Sequence, residues 1–128
     1  MEALREAATR ARENAFAPHS GISIGAAVLT SSGMIYNGCN IENDSFSLTI
    51  CAERCAIFKA ISEGDTEIRA IAIAFPSDTP ESNVPCGACR QVMAQFSVDP
   101  IIVVFSQSET NKMRLSELLP LPFRLSRA

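Results

Sequence analysis

Apolar and polar positions follow helix-like and strand-like periods in turn along this chain. A helical spacing runs through Glu2–Asn14, and a second one runs through Thr49–Glu63, where Gly64 ends it. A third helix is predicted for Cys86–Phe96, with Pro85 at its entrance. The apolar runs between these helices are too short for further helices and predict strands.

Four strands are predicted from short runs rich in β-branched and apolar residues. They are Ile22–Thr30, Met34–Asn40, Ile68–Phe75 and Ile101–Ser106. The sequence Ser31-Ser32-Gly33 is typical of a turn, so the first two strands should form a hairpin. The last two are almost continuously apolar, which predicts strands that are covered on both faces. The segments Met113–Leu115 and Leu118–Pro120 predict an edge strand and a short turn of helix.

The order of these elements predicts a three-layer α/β/α domain with a central mixed sheet of about five strands. The hairpin is expected to be antiparallel, and βαβ crossovers should connect the later strands. No repeat, low-complexity tract or linker interrupts the sequence, so we expect one catalytic domain over residues 1–128. A chain of 13.8 kDa can bury a core without disulfide bonds.

Charge and hydropathy narrow the class of function. The net charge is −3, the pI is about 5.1, and no segment concentrates Lys and Arg, so a small substrate is favoured over a nucleic acid. We find no apolar run that could span a bilayer and no signal peptide, which predicts a cytoplasmic protein without a membrane partner. The hydrophobic share of 47% favours an oligomeric interface.

The five cysteines carry the strongest chemical signal. Their odd number, without a secretion signal, argues against a disulfide framework. The motifs Cys51–Arg54 and Pro85–Gln91 each begin a predicted helix, where free backbone N–H groups and the helix dipole stabilise thiolates. Cys51, Cys86 and Cys89 would give a tetrahedral zinc ion three ligands and leave the fourth position to water, as in catalytic zinc sites.

Glu53 and Arg54 complete the candidate chemistry. Bound zinc lowers the pKa of its water towards about 7, and the Glu53 carboxylate could move the released proton to a substrate nitrogen. This is the chemistry that expels ammonia from an amino-substituted ring. Three thiolates leave the zinc site with a net negative charge, which Arg54 beside Cys51 could offset. Alone, Glu53 would also fit the preference of any first helical turn for acidic residues, and Arg54 and Arg90 would ordinarily be solvated surface charges.

Three other interpretations remain open from the residues alone. The pair Cys86 and Cys89 also fits a thiol oxidoreductase, although that leaves the motif at Cys51 without a role. A structural zinc site in a non-catalytic binding module would recruit Cys39 or Cys55, which are otherwise typical of buried apolar positions. A polynucleotide deaminase would share the zinc chemistry but needs a basic groove and aromatic platforms, and the chain has one Tyr and no Trp.

The two cysteine motifs together resemble the zinc deaminase signature. Through nearly its whole length the chain resembles the small homotetrameric cytidine deaminases. The other matching segments are Ala17-Pro18, Gly25-Ala26-Ala27, Gly38-Cys39-Asn40-Ile41-Glu42-Asn43 and Glu117-Leu118-Leu119-Pro120. The resemblance implies hydrolysis of cytidine and 2′-deoxycytidine to the uridines and ammonia in pyrimidine salvage. It also implies a zinc ion in each subunit and a homotetramer with shared pockets.

The resemblance assigns roles to residues by their position. Asn40 and Glu42 match residues that hydrogen-bond a ribose hydroxyl. Ala52 would donate its backbone N–H to the pyrimidine carbonyl, and the Val84 carbonyl would face the amino group. Arg54 matches a residue that hydrogen-bonds the zinc thiolates.

Other positions bear on the pocket and on the choice of nucleoside. Phe123 resembles a C-terminal aromatic residue that lines the pocket, partly across subunits. His19 stands where Tyr is common, and Ile22 stands where many members have a pocket Phe. Asp44 and Ser47 replace Ala and Gly. A modified or related aminopyrimidine nucleoside therefore stays open as an alternative substrate.

Overall fold

A five-stranded mixed sheet with the order β2-β1-β3-β4-β5 forms the centre of the protein. The computed structural model describes residues 1–76 and 83–125. The strands are β1 (Gly25–Thr30), β2 (Ile35–Cys39), β3 (Ile68–Ala74), β4 (Ile101–Phe105) and β5 (Thr110–Arg114). β3 and β4 pair in parallel, and the other three neighbouring pairs are antiparallel.

Helices cover both faces of this sheet. They are α1 (Glu2–Ala11), α2 (Ala52–Ser62), α3 (Gly87–Gln95) and α4 (Leu115–Leu118), with 3₁₀ turns at Arg12–Asn14 and Phe46–Leu48. α1 packs on one face through Leu4, Ala7 and Ala8. The other face carries α2 and α3, whose Ile57 and Met93 are fully buried. The predicted three-layer α/β/α arrangement with about five strands is confirmed.

The two faces differ because side chains alternate along a strand. In β3, Ile71 and Ile73 point to the α2 and α3 side, while Ala70, Ala72 and Ala74 point to α1. Small side chains let α1 lie close to the sheet. At Gly25 a Cβ atom would lie 1.9 Å from the Ala8 carbonyl oxygen, so glycine is required where α1 crosses β1.

Strand register brings three residues that are distant in sequence together at one end of the sheet, where a cleft opens. Gly25 of β1 pairs with Cys39 on one side and with Ala74 on the other. The next residues beyond these pairs, Ile24, Asn40 and Phe75, therefore converge although they are far apart in sequence. The segment that follows β2 leads into the N-terminus of α2, and the segment that follows β3 leads into the N-terminus of α3.

Several elements begin at other residues than predicted. The first strand begins at Gly25 rather than Ile22, because the Asn40 side chain binds the backbone of residues 22–24. The second helix begins at Ala52 because Cys51 has extended backbone angles. The edge strand is longer than predicted and starts at Thr110. Most of the predicted loop at 76–84 lies outside the described residues.

Within residues 1–76 and 83–125, no helix has the length and apolar character needed to cross a membrane. The extent of the domain over all of residues 1–128 stays a prediction. Both termini of the described chain contribute elements to the layers around the one sheet, since α1 is the first element and α4 is the last.

Candidate active site

Two cysteines occupy the N-cap positions of the two helices that start beside each other. Cys51 caps α2 with φ −76° and ψ 156°, and Cys86 caps α3 with φ −66° and ψ 165°. Neither side chain makes a capping hydrogen bond, so both thiols are free for other partners. The unpaired N–H groups and positive dipole ends of two helices thus surround the sulfur atoms and favour thiolates, as the sequence predicted.

Cys89, in the first turn of α3, completes a cluster of three thiols. The three Sγ atoms lie within 4.8 Å of one another, with 3.6 Å between Cys51 and Cys86 and 3.5 Å between Cys86 and Cys89. These separations are too long for disulfide bonds. Zinc–sulfur bonds of about 2.3 Å in a tetrahedron place two sulfurs about 3.8 Å apart, so the cluster fits a zinc ion.

Cys39 and Cys55 do not join this cluster in the part of the chain that the structure describes. Cys39 ends β2 and is buried, while Cys55 lies one turn further along α2. The cluster therefore has three protein ligands and leaves a tetrahedral metal one open position. A structural site closed by a fourth cysteine, which the sequence left open, does not match this arrangement.

Glu53 lies in the first turn of α2 and is only 4% exposed. Burial raises the pKa of its carboxyl group to about 7, and the charge of Cys51 contributes in the same direction. Side chains two residues apart diverge inside a helix, but Cys51 is outside the helix at its cap. Both side chains consequently reach the same cleft.

Arg54 balances the charge of the sulfur atoms. Its Nη2 donates to the Cys51 Sγ at 3.5 Å, and this contact raises the pKa of the guanidinium. The pKa of Cys51 is lowered, first by its hydrogen bond with Cys89 and then by Arg54. The same hydrogen bond raises the pKa of Cys89. The buried Nε of Arg54 has no hydrogen-bond partner among the described residues, and burying such an unpaired group costs free energy. Negative charge on the neighbouring thiolates would offset this cost by attracting the guanidinium.

The sequence alone favoured a solvated surface charge for Arg90, but its guanidinium group donates hydrogen bonds to two backbone carbonyl groups. Its Nε donates to the Pro85 carbonyl at 2.7 Å, and its Nη1 donates to the Leu118 carbonyl at 2.9 Å. The side chain therefore ties the turn before Cys86 to the C-terminal segment.

A cleft of about 260 Å³ opens over the cluster. It contains Glu53 and most of the residues that the resemblance assigned to substrate binding. The lining residues are Ser20, Ile22, Ile24, Asn40, Glu42, Thr49, Ile50, Cys51, Ala52, Glu53, Phe75, Val84 and Cys86. A larger cleft of about 550 Å³ lies beside α1, but it has no cluster of metal-ligating side chains.

Asn40 lies at the edge of the cleft and holds its wall. Its Oδ1 accepts the Ile24 N–H at 2.8 Å, and its Nδ2 donates to the Ile22 carbonyl at 2.7 Å. The side-chain amide thus makes the two hydrogen bonds that the backbone of a neighbouring strand would make with segment 22–24. Its bonds to the described residues use half of its hydrogen-bonding capacity and leave one N–H and one lone pair of Oδ1.

Glu42 is buried and fastens the turn at residues 17–21. Its Oε1 accepts the backbone N–H groups of His19 at 2.7 Å and Ser20 at 3.1 Å. Its Oε2 accepts the Ser20 hydroxyl at 2.5 Å. These donors favour the ionised carboxylate, and the hydroxyl of Ser20 contributes most to lowering the pKa of Glu42.

Ala52 and Val84 contribute backbone groups to the cleft. Ala52 is the first residue of α2, so its N–H has no acceptor within the helix, and its side chain is fully buried. Val84 precedes the Pro-Cys turn and is partly exposed at the opposite wall.

Phe123 lies outside the cleft of the single chain. It is 68% exposed, and its backbone N–H and carbonyl both bind the side-chain amide of Gln91 in α3. A role in a pocket shared between subunits stays a prediction.

The four positions that depart from the family pattern lie in the cleft wall and around the 3₁₀ turn at Phe46–Leu48. Ile22 lines the cleft. His19 contacts Asp44, with 3.1 Å between Nε2 and Oδ1, and its ring meets the edge of Phe46 at 5.0 Å. Ser47 lies in the same 3₁₀ turn as Phe46.

Comparisons with known proteins agree with this site. The family model of the cytidine and deoxycytidylate deaminase zinc-binding region matches residues 1–105. The chain belongs to this family of deaminases. It is therefore an enzyme, a hydrolase of the deaminase type, as the sequence predicted. The thiol oxidoreductase and the non-catalytic zinc module are set aside.

Relatives and solved structures cover nearly the whole chain. A cytidine deaminase of Halalkalibacterium halodurans is 46% identical over 115 residues, which are 88% of this chain and 86% of that protein. One from Sporosarcina psychrophila is 42% identical over 122 residues, 94% of this chain and 88% of that protein. The crystal structure of cytidine deaminase from Burkholderia pseudomallei has a TM-score of 0.84 at 40% identity, covering 95% of this chain and 98% of that one.

Proposed function

We propose that the chain hydrolyses cytidine and 2′-deoxycytidine to uridine and 2′-deoxyuridine, with release of ammonia. The observation that carries this proposal is the position of Glu53. It is a buried carboxyl group with a pKa of about 7, next to three thiols spaced for zinc and inside a cleft large enough to receive a pyrimidine ring. Water is the second substrate, and the ring carbon that loses the amino group gains the oxygen.

Cys51, Cys86 and Cys89 would hold the zinc ion. When bound, zinc supplies a Lewis acid that makes water nucleophilic near neutral pH. Glu53 transfers the protons: its carboxylate accepts the two protons of the attacking water one after the other and delivers the first to the ring nitrogen and the second to the leaving amino group. A pKa near 7 suits a group that must both accept and donate protons at neutral pH.

Backbone groups would orient the base in this cleft. The Ala52 N–H, unpaired at the start of α2, can donate to the pyrimidine carbonyl. The Val84 carbonyl can accept from the exocyclic amino group. Both groups flank Cys51 and Cys86 in sequence, so the same turns that position the metal ligands position the base.

Asn40 and Glu42 would bind a sugar hydroxyl with the capacity that the protein leaves unused. A carboxylate offers about four lone-pair sites, and three are taken by His19 and Ser20, which leaves one on Oε2. Asn40 has one free N–H on Nδ2. A hydroxyl group between the two can accept from Asn40 and donate to Glu42, and it satisfies both side chains.

Charge favours a nucleoside over a nucleotide. Among the described residues that line the cleft, none is Lys or Arg, while Glu42 and Glu53 are both present. Arg54 is directed to the Cys51 sulfur. A phosphate group would enter a site of like charge without a cationic partner, which costs binding free energy. We therefore expect cytidine to react and cytidine 5′-monophosphate to react poorly.

A homotetramer with shared pockets fits the apolar surface next to the cleft. Phe46 and Leu48 are 72% and 68% exposed, directly before the lining residues Thr49 and Ile50. Phe123 is exposed as well and would be available to a neighbouring subunit. Light scattering at micromolar concentration should give the mass of a tetramer, and a monomeric mass would contradict this assembly. The expected role is pyrimidine salvage in the cytoplasm.

Ultraviolet absorbance tests the reaction directly. Wild-type protein should convert the cytosine band of cytidine to that of uridine. Glu53→Gln keeps the shape and the cysteine cluster but cannot carry the proton, so it should retain zinc and lose about 10²–10⁴-fold in kcat. Wild-type protein that contains zinc and leaves both cytosine nucleosides unchanged would overturn the proposal. A nearly active Glu53→Gln would remove Glu53 from the mechanism.

A further inference from the structure

Ser20 stands at the junction between the sugar side of the cleft and the backbone that forms its wall. Its hydroxyl donates to Glu42 Oε2 at 2.5 Å and accepts the N–H of Ile22 at 3.0 Å. Its own backbone N–H donates to Glu42 Oε1 at 3.1 Å. One residue thus binds both oxygens of a buried carboxylate and also fixes the next residue of the wall that lines the cleft.

The hydroxyl controls the one oxygen of Glu42 that retains a free site. Oε1 is held by two backbone N–H groups, from His19 and Ser20, which any residue except proline at position 20 would preserve. Among the described residues, Oε2 has a single donor, the Ser20 hydroxyl. Without that donor, the rotation of the carboxylate and the direction of the free lone pair on Oε2 are less defined.

We propose that Ser20 is a positioning residue that aims the free lone pair of Glu42 Oε2 at a hydroxyl group of the substrate sugar. This proposal rests on the proposed nucleoside deaminase function. Ser20 does not touch the reacting atoms, and its effect passes through Glu42. The loss of its hydroxyl should therefore weaken the binding of substrates that carry the recognised sugar hydroxyl. The binding of substrates that lack this hydroxyl should not change.

The experiment measures kcat/KM of wild type and Ser20→Ala with cytidine and with its 2′-, 3′- and 5′-deoxy analogues. For wild type, the analogue that lacks the recognised hydroxyl should be the poorest substrate. With substrates that keep this hydroxyl, Ser20→Ala should have a kcat/KM about tenfold lower than that of wild type, mainly because KM rises. With the analogue that lacks the hydroxyl, its kcat/KM should be close to that of wild type. Ser20→Thr retains a hydroxyl and should restore most of the discrimination.

Ser23→Ala is the matched control, because Ser23 lies in the same segment and its hydroxyl makes no hydrogen bond to the described residues. It should behave as wild type on every substrate. Equal losses of Ser20→Ala on all four nucleosides would overturn the proposal and assign Ser20 a structural role only. Unchanged kinetics of Ser20→Ala would overturn it as well. If wild type itself deaminates none of the nucleosides, the proposed function fails first, and this result is distinct from either of the others.

Discussion

Two parts of the cleft are built in different ways: the side with the three-cysteine cluster, to which we assign the metal (the metal side), and the side with Asn40 and Glu42, to which we assign the sugar (the sugar side). On the metal side, Cys51, Cys86 and Cys89 lie on the caps and first turns of two helices, so regular backbone geometry sets their positions. On the sugar side, irregular segments around residues 17–24 are held by side-chain hydrogen bonds from Asn40 and Glu42. The proposed catalytic groups and the proposed contacts to the base thus lie at helix N-termini, while the proposed contacts to the sugar depend on irregular segments, which tolerate sequence changes more readily.

The largest expected effect separates the metal ligands from the remaining cysteines. Cys89→Ala should abolish both zinc binding and activity, because two thiols cannot complete the site. The matched control is Cys39→Ala, since Cys39 is also buried but lies outside the cluster. Metal analysis of the purified proteins should find zinc in the control and almost none in Cys89→Ala. Loss of zinc from both variants, with both folded, would contradict the three-ligand assignment.

A smaller effect should be confined to the sugar side. Asn40→Ala leaves the Ile24 N–H and the Ile22 carbonyl without their partner, so the free energy of unfolding should fall by about 1–3 kcal/mol. KM for cytidine should rise as the wall loosens, while the zinc content stays that of wild type. Urea unfolding, steady-state kinetics and metal analysis measure these three quantities. Concurrent loss of zinc would mean that the two sides are not independent.

The smallest effect concerns the charge of Glu42. Its folded-state pKa lies below the ordinary value of 4.5, since Ser20 and the backbone of His19 donate to the carboxylate. The carboxylate therefore stabilises the fold above that value, and the stabilisation is lost as the pH falls through the folded pKa. The difference in free energy of unfolding between wild type and Glu42→Gln should be largest near neutral pH and shrink below pH 4.5. A difference that grows on acidification would contradict this assignment.

The grouping of Cys51, Cys86 and Cys89 could be predicted from the sequence because its signals are local, while the assignment of zinc to these thiols stays a prediction. A cysteine that precedes a helical spacing, with Glu53 and Arg54 following, is recognisable within a few residues. The helices, the hairpin and the buried parallel strands also carry recognisable patterns of apolar residues. The predicted three-layer arrangement therefore agrees with the structure. The start of β1 was wrong because a distant side chain, that of Asn40, replaces a backbone partner beside Ile24.

The sugar side was predicted only through resemblance, and part of it was missed. Ser20 and Phe75 line the cleft, but they are brought there by strand register and by contacts across more than twenty positions of sequence. A serine between His19 and Gly21 is typical of any turn, so its contact with Glu42 has no local signal. Arg90 was misjudged for the same reason, because its acceptors include the distant Leu118 carbonyl.

X-ray absorption at the zinc edge tests the central claim most directly, namely that three cysteines on two helix N-termini hold the metal and leave one position open. The account predicts about three sulfur neighbours at about 2.3 Å and one oxygen or nitrogen neighbour at about 2.0 Å. The lighter neighbour should persist in Cys55→Ala, because Cys55 lies outside the cluster of three thiols found among the described residues. Four sulfur neighbours in wild type, falling to three in Cys39→Ala or Cys55→Ala, would show a closed structural site and contradict the account.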